Sequence, residues 1–173
     1  MMKSVLGIAV AIAFCSVANA ADQGQGKVNF KGTVIDAPCG IAPESADQSI
    51  DFGQISKAHL AADGISVKKD LDIKLVNCDL SDGKKKVKVT FSGTSLGDGT
   101  ELGTAGNTGT AIKVSAADGS FVKFDGATSV GSYNLKTGDN TMRYSAWVQK
   151  ASTASSVTEG AFTAVANFNL TYE

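Results

Sequence analysis

Apolar side chains recur at every second position near the carboxyl end of the chain, where Phe162, Ala164, Ala166, Phe168, Leu170 and Tyr172 alternate with other residues. A period of two places all six on one face of a strand. A strand this apolar must pair its backbone and bury that face against a partner. A second alternating run lies near the amino end, with Val28, Phe30, Gly32 and Val34 on one face and Lys27, Asn29, Lys31 and Thr33 on the other. Gly32 leaves one position of the apolar face without a side chain, so that another backbone or a bulky neighbour can approach closely there.

Between these ends the same reading predicts strands over Val28–Asp36, Ser49–Phe52, Leu71–Asn77, Val87–Ser92, Ala111–Ser115, Phe121–Phe124, Met142–Gln149 and Phe162–Tyr172. They are separated by Asp98-Gly99, Gly106-Asn107, Asp118-Gly119, Asp125-Gly126 and Gly138-Asp139-Asn140, residues that tolerate positive φ or hydrogen-bond their own backbone. Ser56–Lys69 has no clean period and reads as a loop with a short helix near Lys57–Ala61. Many short strands punctuated this way indicate an all-β fold, and the number of strands fits an immunoglobulin-like sandwich. The antibody signature is missing, since Trp147 follows both Cys39 and Cys78 instead of lying between them. No linker composition divides the chain after its first residues, so one domain is expected.

Residues 1–20 read as a secretory signal peptide: Lys3 gives the positive start, Val5–Phe14 the apolar stretch and Ala18-Asn19-Ala20 the cleavage site. The apolar stretch is too short to favour a membrane span. Cys15 leaves with the leader, so the exported chain keeps the pair Cys39 and Cys78, which an oxidising compartment joins as one disulfide. Loss of Lys3 moves the net charge from −1 to about −2, which argues against a nucleic-acid partner. The basic run Lys84-Lys85-Lys86 with Lys88 flanks the turn Ser81-Asp82-Gly83 and reads as solvated.

Catalytic chemistry finds little support. The single histidine, His59, falls in the aperiodic loop, and no serine elbow, metal-ligand cluster or phosphate-loop context accompanies it. Asp51, Asp70 and Asp72 sit on alternating segments as solvent-face residues. No catalytic residue, metal, cofactor or small-molecule substrate is expected.

The two ends leave two arrangements open: both strands pair within one sandwich, or each pairs across copies. The residues that bear on this choice are Gly24–Val34, Asp36-Ala37-Pro38-Cys39, Asp47–Gln54, Leu75-Val76-Asn77-Cys78, and Thr158–Phe162 leading into Asn167–Tyr172. In these motifs the chain resembles the chaperone-usher pilins, and among them the major rod subunits of the P-pilus type, over essentially all of the exported sequence. The resemblance implies an incomplete immunoglobulin-like β-sandwich lacking its final strand, over residues 35–173, preceded by a donor-strand extension over 21–34. It assigns Val28, Phe30, Gly32 and Val34 to the donor strand, and Gly160, Phe162, Ala164, Ala166, Phe168, Leu170 and Tyr172 to the groove strand recognised by the chaperone. The implied partners are a periplasmic pilus chaperone, an outer-membrane usher and further copies of the chain in a head-to-tail homopolymer. Export would then run through the periplasm to a fimbria on the cell surface, as the rod that carries an adhesin. The segment Ser81–Tyr133 fits the family pattern least and is expected to hold a variable, outward-facing surface. The alternatives are a single-domain minor or tip-adaptor pilin and a self-complete secreted carbohydrate-binding β-sandwich.

Overall fold

The computed structural model describes residues 26–173; the predicted leader, 1–20, and residues 21–25 of the predicted extension lie outside the described residues. By internal contacts the chain divides into two units, the boundary falling between Val34 and Ile35. In the first unit residues 26–34 carry no regular secondary structure, and Val28, Phe30 and Val34 are 72 %, 92 % and 101 % exposed.

The second unit is a two-sheet sandwich. One sheet has the order β1-β2-β9-β6-β5-β4, built from β1 (Gly40–Ile41), β2 (Lys69–Cys78), β4 (Ser95–Leu96), β5 (Glu101–Gly103), β6 (Thr110–Ala116) and β9 (Gly138–Lys150). The other has the order β10-β3-β7, from β3 (Lys86–Gly93), β7 (Asp125–Ser129) and β10 (Ala166–Tyr172), with β8 (Tyr133–Asn134) also pairing β3. The strand pairs are antiparallel throughout. Two short helices, α1 (Pro43–Ala46) and α2 (Lys57–Ala61), lie between β1 and β2.

Alternation produces the core. Met142, Tyr144, Ala146 and Val148 of β9 are buried while Thr141 before them and Arg143 among them are exposed, and Ile73 and Leu75 of β2 are buried about the exposed Lys74 beside it. Val87, Val89 and Phe91 of β3 close the core from the second sheet, where Phe91 meets Tyr144 edge-on at 5.2 Å between ring centroids. The geometry is the favourable one for two aromatic quadrupoles. Burial pushes the Tyr144 hydroxyl far above the ordinary tyrosine range.

The helices follow local signals. Pro43 begins α1, and its buried Ser45 accepts from the Lys74 amide at 2.9 Å and donates to the Asp72 carbonyl at 3.2 Å, tying the helix to β2. Ser56 caps α2 by accepting from the His59 amide at 3.4 Å. The His59 ring lies 2.9 Å from the Ile65 carbonyl, closing the loop that follows. Cys39 and Cys78 form a disulfide that joins the start of β1 to the end of β2.

Four predicted strands take another form. Val28–Asp36 is not a strand: a strand exists through its ladder, and among the described residues none pairs with this run. Ser49–Phe52 is extended but unpaired, although Ile50 and Phe52 still pack on the core. Phe121–Phe124 makes the bridge Ser115↔Phe121 and scattered main-chain bonds to Val114, Gly99 and Gly93, and the paired strand begins afterwards as β7. The terminal strand begins at Ala166, with residues 160–165 pairing only through the isolated bridge Ala105↔Thr163. The segment Ser81–Tyr133 is not simply an outward surface, because it supplies Val87, Val89, Phe91, Leu102, Val114, Val122 and Phe124 to the core.

The Asp125-Gly126 turn that opens β7 gives a pH test. The Asp125 carboxylate accepts from the Thr128 hydroxyl at 2.6 Å, the Thr128 amide at 2.7 Å and the Ala127 amide at 2.8 Å. These bonds, led by the Thr128 hydroxyl, lower its pKa from 3.8 to about 2. A carboxyl depressed on folding stabilises the turn above its unfolded value, and that stabilisation is lost as the pH falls toward 2. The Thr128 amide resonance should therefore titrate with a midpoint near 2. A midpoint at the ordinary aspartate value would remove the turn from the acid response.

Candidate assembly site: the free edge of the terminal strand

Strand β10 pairs with β3 from Ala166↔Gly93 to Tyr172↔Val87, and two further bonds of 2.9 Å between Lys86 and Glu173 extend the ladder to the last residue. Among the described residues no strand pairs with its other edge. Half of the main-chain donors and acceptors of β10 thus face outward, a template for another strand.

Its side chains are equally incomplete. Phe168, Leu170 and Tyr172 are half-buried and pack on the main core, Phe168 lying 6.4 Å from Phe91 between centroids. Burial raises the Tyr172 hydroxyl above its ordinary value. Ala164 is half-buried on the same core, and Phe162 packs with Leu60, Val148 and Val157 of a smaller cluster. Ala166 is exposed and its neighbour Val165 is 75 % exposed. The six residues that periodicity assigned to one face therefore split into a half-covered row and an exposed break at Ala166.

Gly160 precedes this row at φ +149°, a conformation side-chain-bearing residues rarely adopt. The far end is fixed by Lys88, whose Nζ lies 2.6 Å from Glu173 Oε1. Ile41, Ile50 and Phe52, from β1 and the segment after α1, are also half-buried on the core. Ile41 was not legible as a core-packing residue, because a two-residue strand has no periodicity to detect. The predicted donor residues Val28, Phe30, Gly32 and Val34 belong to the other unit and are exposed.

The sequence profile of the fimbrial protein family matches residues 28–173. The chain belongs to that family. The Pap fimbrial major pilin protein of Escherichia coli is 55 % identical to it over 188 residues, with the whole of both chains aligned. A solved chaperone-usher pilus, whose structure addresses rod uncoiling, superposes with a TM-score of 0.81 at 53 % identity, covering 87 % of this chain and 97 % of that one. The P pilus rod subunit PapA superposes with a TM-score of 0.74 at 51 % identity, covering 79 % of this chain and all of that one.

The fold of this fimbrial protein is accordingly an immunoglobulin-like sandwich that lacks its final strand. Fimbrial proteins are structural subunits and not enzymes; they assemble with one another into a cell-surface appendage.

Proposed function

We propose that this fimbrial protein is a major rod subunit that polymerises by donor-strand exchange. Val28, Phe30 and Val34 of one copy seat beside β10 of the next, and Gly32 meets the acceptor where a side chain would obstruct it. The observation that carries this reading is the coexistence, among the described residues, of an unpaired β10 edge, with a half-covered apolar row, and an apolar run that has no ladder of its own. Each is costly exposed to water, and pairing them satisfies both. This is β-strand addition, for which the handing of strands between chaperones and pilins is a standard example.

Before assembly, a periplasmic chaperone lends a strand to the same edge, and an outer-membrane usher is where the arm of the next subunit replaces it. The exported chain, cleaved after Ala20, thus crosses the periplasm only in complex. Contacts of this kind are head-to-tail and do not close, so they give a filament that presents an adhesin away from the cell.

Co-expression with a periplasmic pilus chaperone tests the reading. The expected product is a 1:1 complex that is lost in Phe168→Asp and Tyr172→Asp, since a carboxylate in the row would have to be desolvated beneath the lent strand. A stable free monomer, or a complex indifferent to both changes, would refute it.

A further inference from the structure

The chain reaches the half-covered row across a loop whose shape depends on glycine. Residues 104–109, which connect β5 to β6, together with Thr110 at the start of β6, underlie residues 151–163 through main-chain bonds along their length. The Ala151 amide donates to the Gly109 carbonyl at 3.0 Å, the Thr158 amide to the Thr108 carbonyl at 2.9 Å, and the Ala105 amide to the Thr163 carbonyl at 2.8 Å. The Thr158 hydroxyl adds a bond of 2.7 Å to the Asn107 carbonyl.

Space is as tight as the bonding. A Cβ on Gly109 would overlap the Ser156 carbonyl oxygen, and one on Gly106 would overlap the Ala161 carbonyl oxygen. At the end of β3, a Cβ on Gly93 would stand 3.0 Å from the Val165 carbonyl oxygen. Beneath the loop, the buried Thr108 and Thr110 hydroxyls are 2.7 Å apart, and Thr104 joins Thr110 at 2.9 Å. The loop is therefore braced from within and cannot sink to make room.

We infer that residues 104–110 form a positioning cradle that sets the height and register of Phe162 and Ala164, and with them the leading end of the row that receives the incoming strand. Ala161 adjoins Phe162, so a methyl group at Gly106 lifts the row at its first aromatic residue while leaving the β10–β3 ladder in place. Gly106, Gly109 and Thr158 are positioning residues, acting through the main chain of 156–163. The inference rests on the proposed donor-strand reading for its consequence in assembly, but the cradle's effect on the main chain does not.

Two measurements on the full chain in its chaperone complex decide it. The first follows uptake of a fluorescent synthetic peptide of residues 24–36. The second is amide exchange at Thr163, whose N–H faces the Ala105 carbonyl, compared with amides of the β2–β9 ladder. Gly106→Ala is expected to slow peptide uptake by about tenfold or more and to speed Thr163 exchange by a similar factor. The β2–β9 amides should not change. Gly119→Ala is the control: Gly119 has φ +87° but nothing within 4 Å of a Cβ, so it carries the backbone strain without the crowding and should take up peptide normally. Thr158→Ser, which keeps the hydroxyl, should behave as the natural chain, and Thr158→Val should resemble Gly106→Ala.

If the natural chain takes up no peptide, the donor-strand reading fails, and Thr163 exchange still decides the cradle. Unchanged exchange and unchanged uptake in Gly106→Ala would overturn the cradle alone. Equal slowing in Gly119→Ala would reduce the effect to general strain and overturn it as well.

Discussion

Deleting Ala21–Gly32 is expected to abolish filament growth while leaving a soluble 1:1 chaperone complex. The deletion removes Val28 and Phe30, and burying two such side chains contributes roughly 3–6 kcal/mol before the ordering of the arm is subtracted. It removes nothing from β10 or from the core of the second unit. The truncated subunit can accept an arm but cannot give one. Mixed with natural subunits it should therefore end chains, and mean filament length by electron microscopy should fall as its fraction rises. Because a donated strand completes the acceptor's core, release requires partial unfolding, so filaments formed before the truncated subunit is added should not shorten. Filaments of normal length from the truncated chain alone would rule out the arm as donor.

Replacing both cysteines, Cys39→Ser with Cys78→Ser, is expected to be the most damaging change within the second unit. Both sulfurs are buried, and the bridge closes a loop with a sequence separation of 39 residues. The chain-entropy treatment gives about 4 kcal/mol for such a loop, a large share of the ~5–15 kcal/mol by which a domain is stable. The loop contains α1, α2 and the unpaired extended segment that brings Ile50 and Phe52 to the core. That segment has little ladder of its own, so the bridge limits how far it strays in the unfolded chain. The Asp79 amide, bonded to the Pro38 carbonyl at 2.9 Å, and the short β1–β2 ladder would remain as the neighbouring main-chain ties across the former bridge. The double variant should give little recoverable chaperone complex and a markedly lower urea midpoint. An unchanged midpoint would show that native packing alone holds the segment.

The long strands were legible because each buries one face. Leu71–Asn77, Val87–Ser92, Ala111–Ser115 and Met142–Gln149 reappear as β2, β3, β6 and β9, each extended by one to four residues at an end. The short helix at Lys57–Ala61 reappears as α2, where Ser56 provides the cap. The short strands β1, β4, β5 and β8 were not legible, since two or three residues contain no period and their pairing depends on neighbours distant in sequence. Phe121–Phe124 alternates, and Val122 and Phe124 are buried, yet its main-chain bonds go to three separate segments, at Val114, Gly99 and Gly93, and build no continuous ladder. The cradle residues were visible only as turn formers: Gly106-Asn107 marks a turn in the sequence, but not the Ala161 carbonyl above it.

The two ends show where this division lies. Side-chain direction along an extended backbone is a local property, so the sequence by itself determined that Val28, Phe30 and Val34 share a face, that Phe168, Leu170 and Tyr172 share another, and that two cysteines remain to be joined. Backbone pairing is a contact between distant segments, and no local pattern specifies it. Only the tertiary structure decided that β10 pairs β3 on one edge and no described strand on the other, that Ala166 interrupts the covered row, and that glycines at 106 and 109 let the chain pass over the loop beneath it. The reason is that a hydrogen-bond ladder and a close carbonyl approach are fixed by which segments meet in space, whereas periodicity records only which way each side chain points.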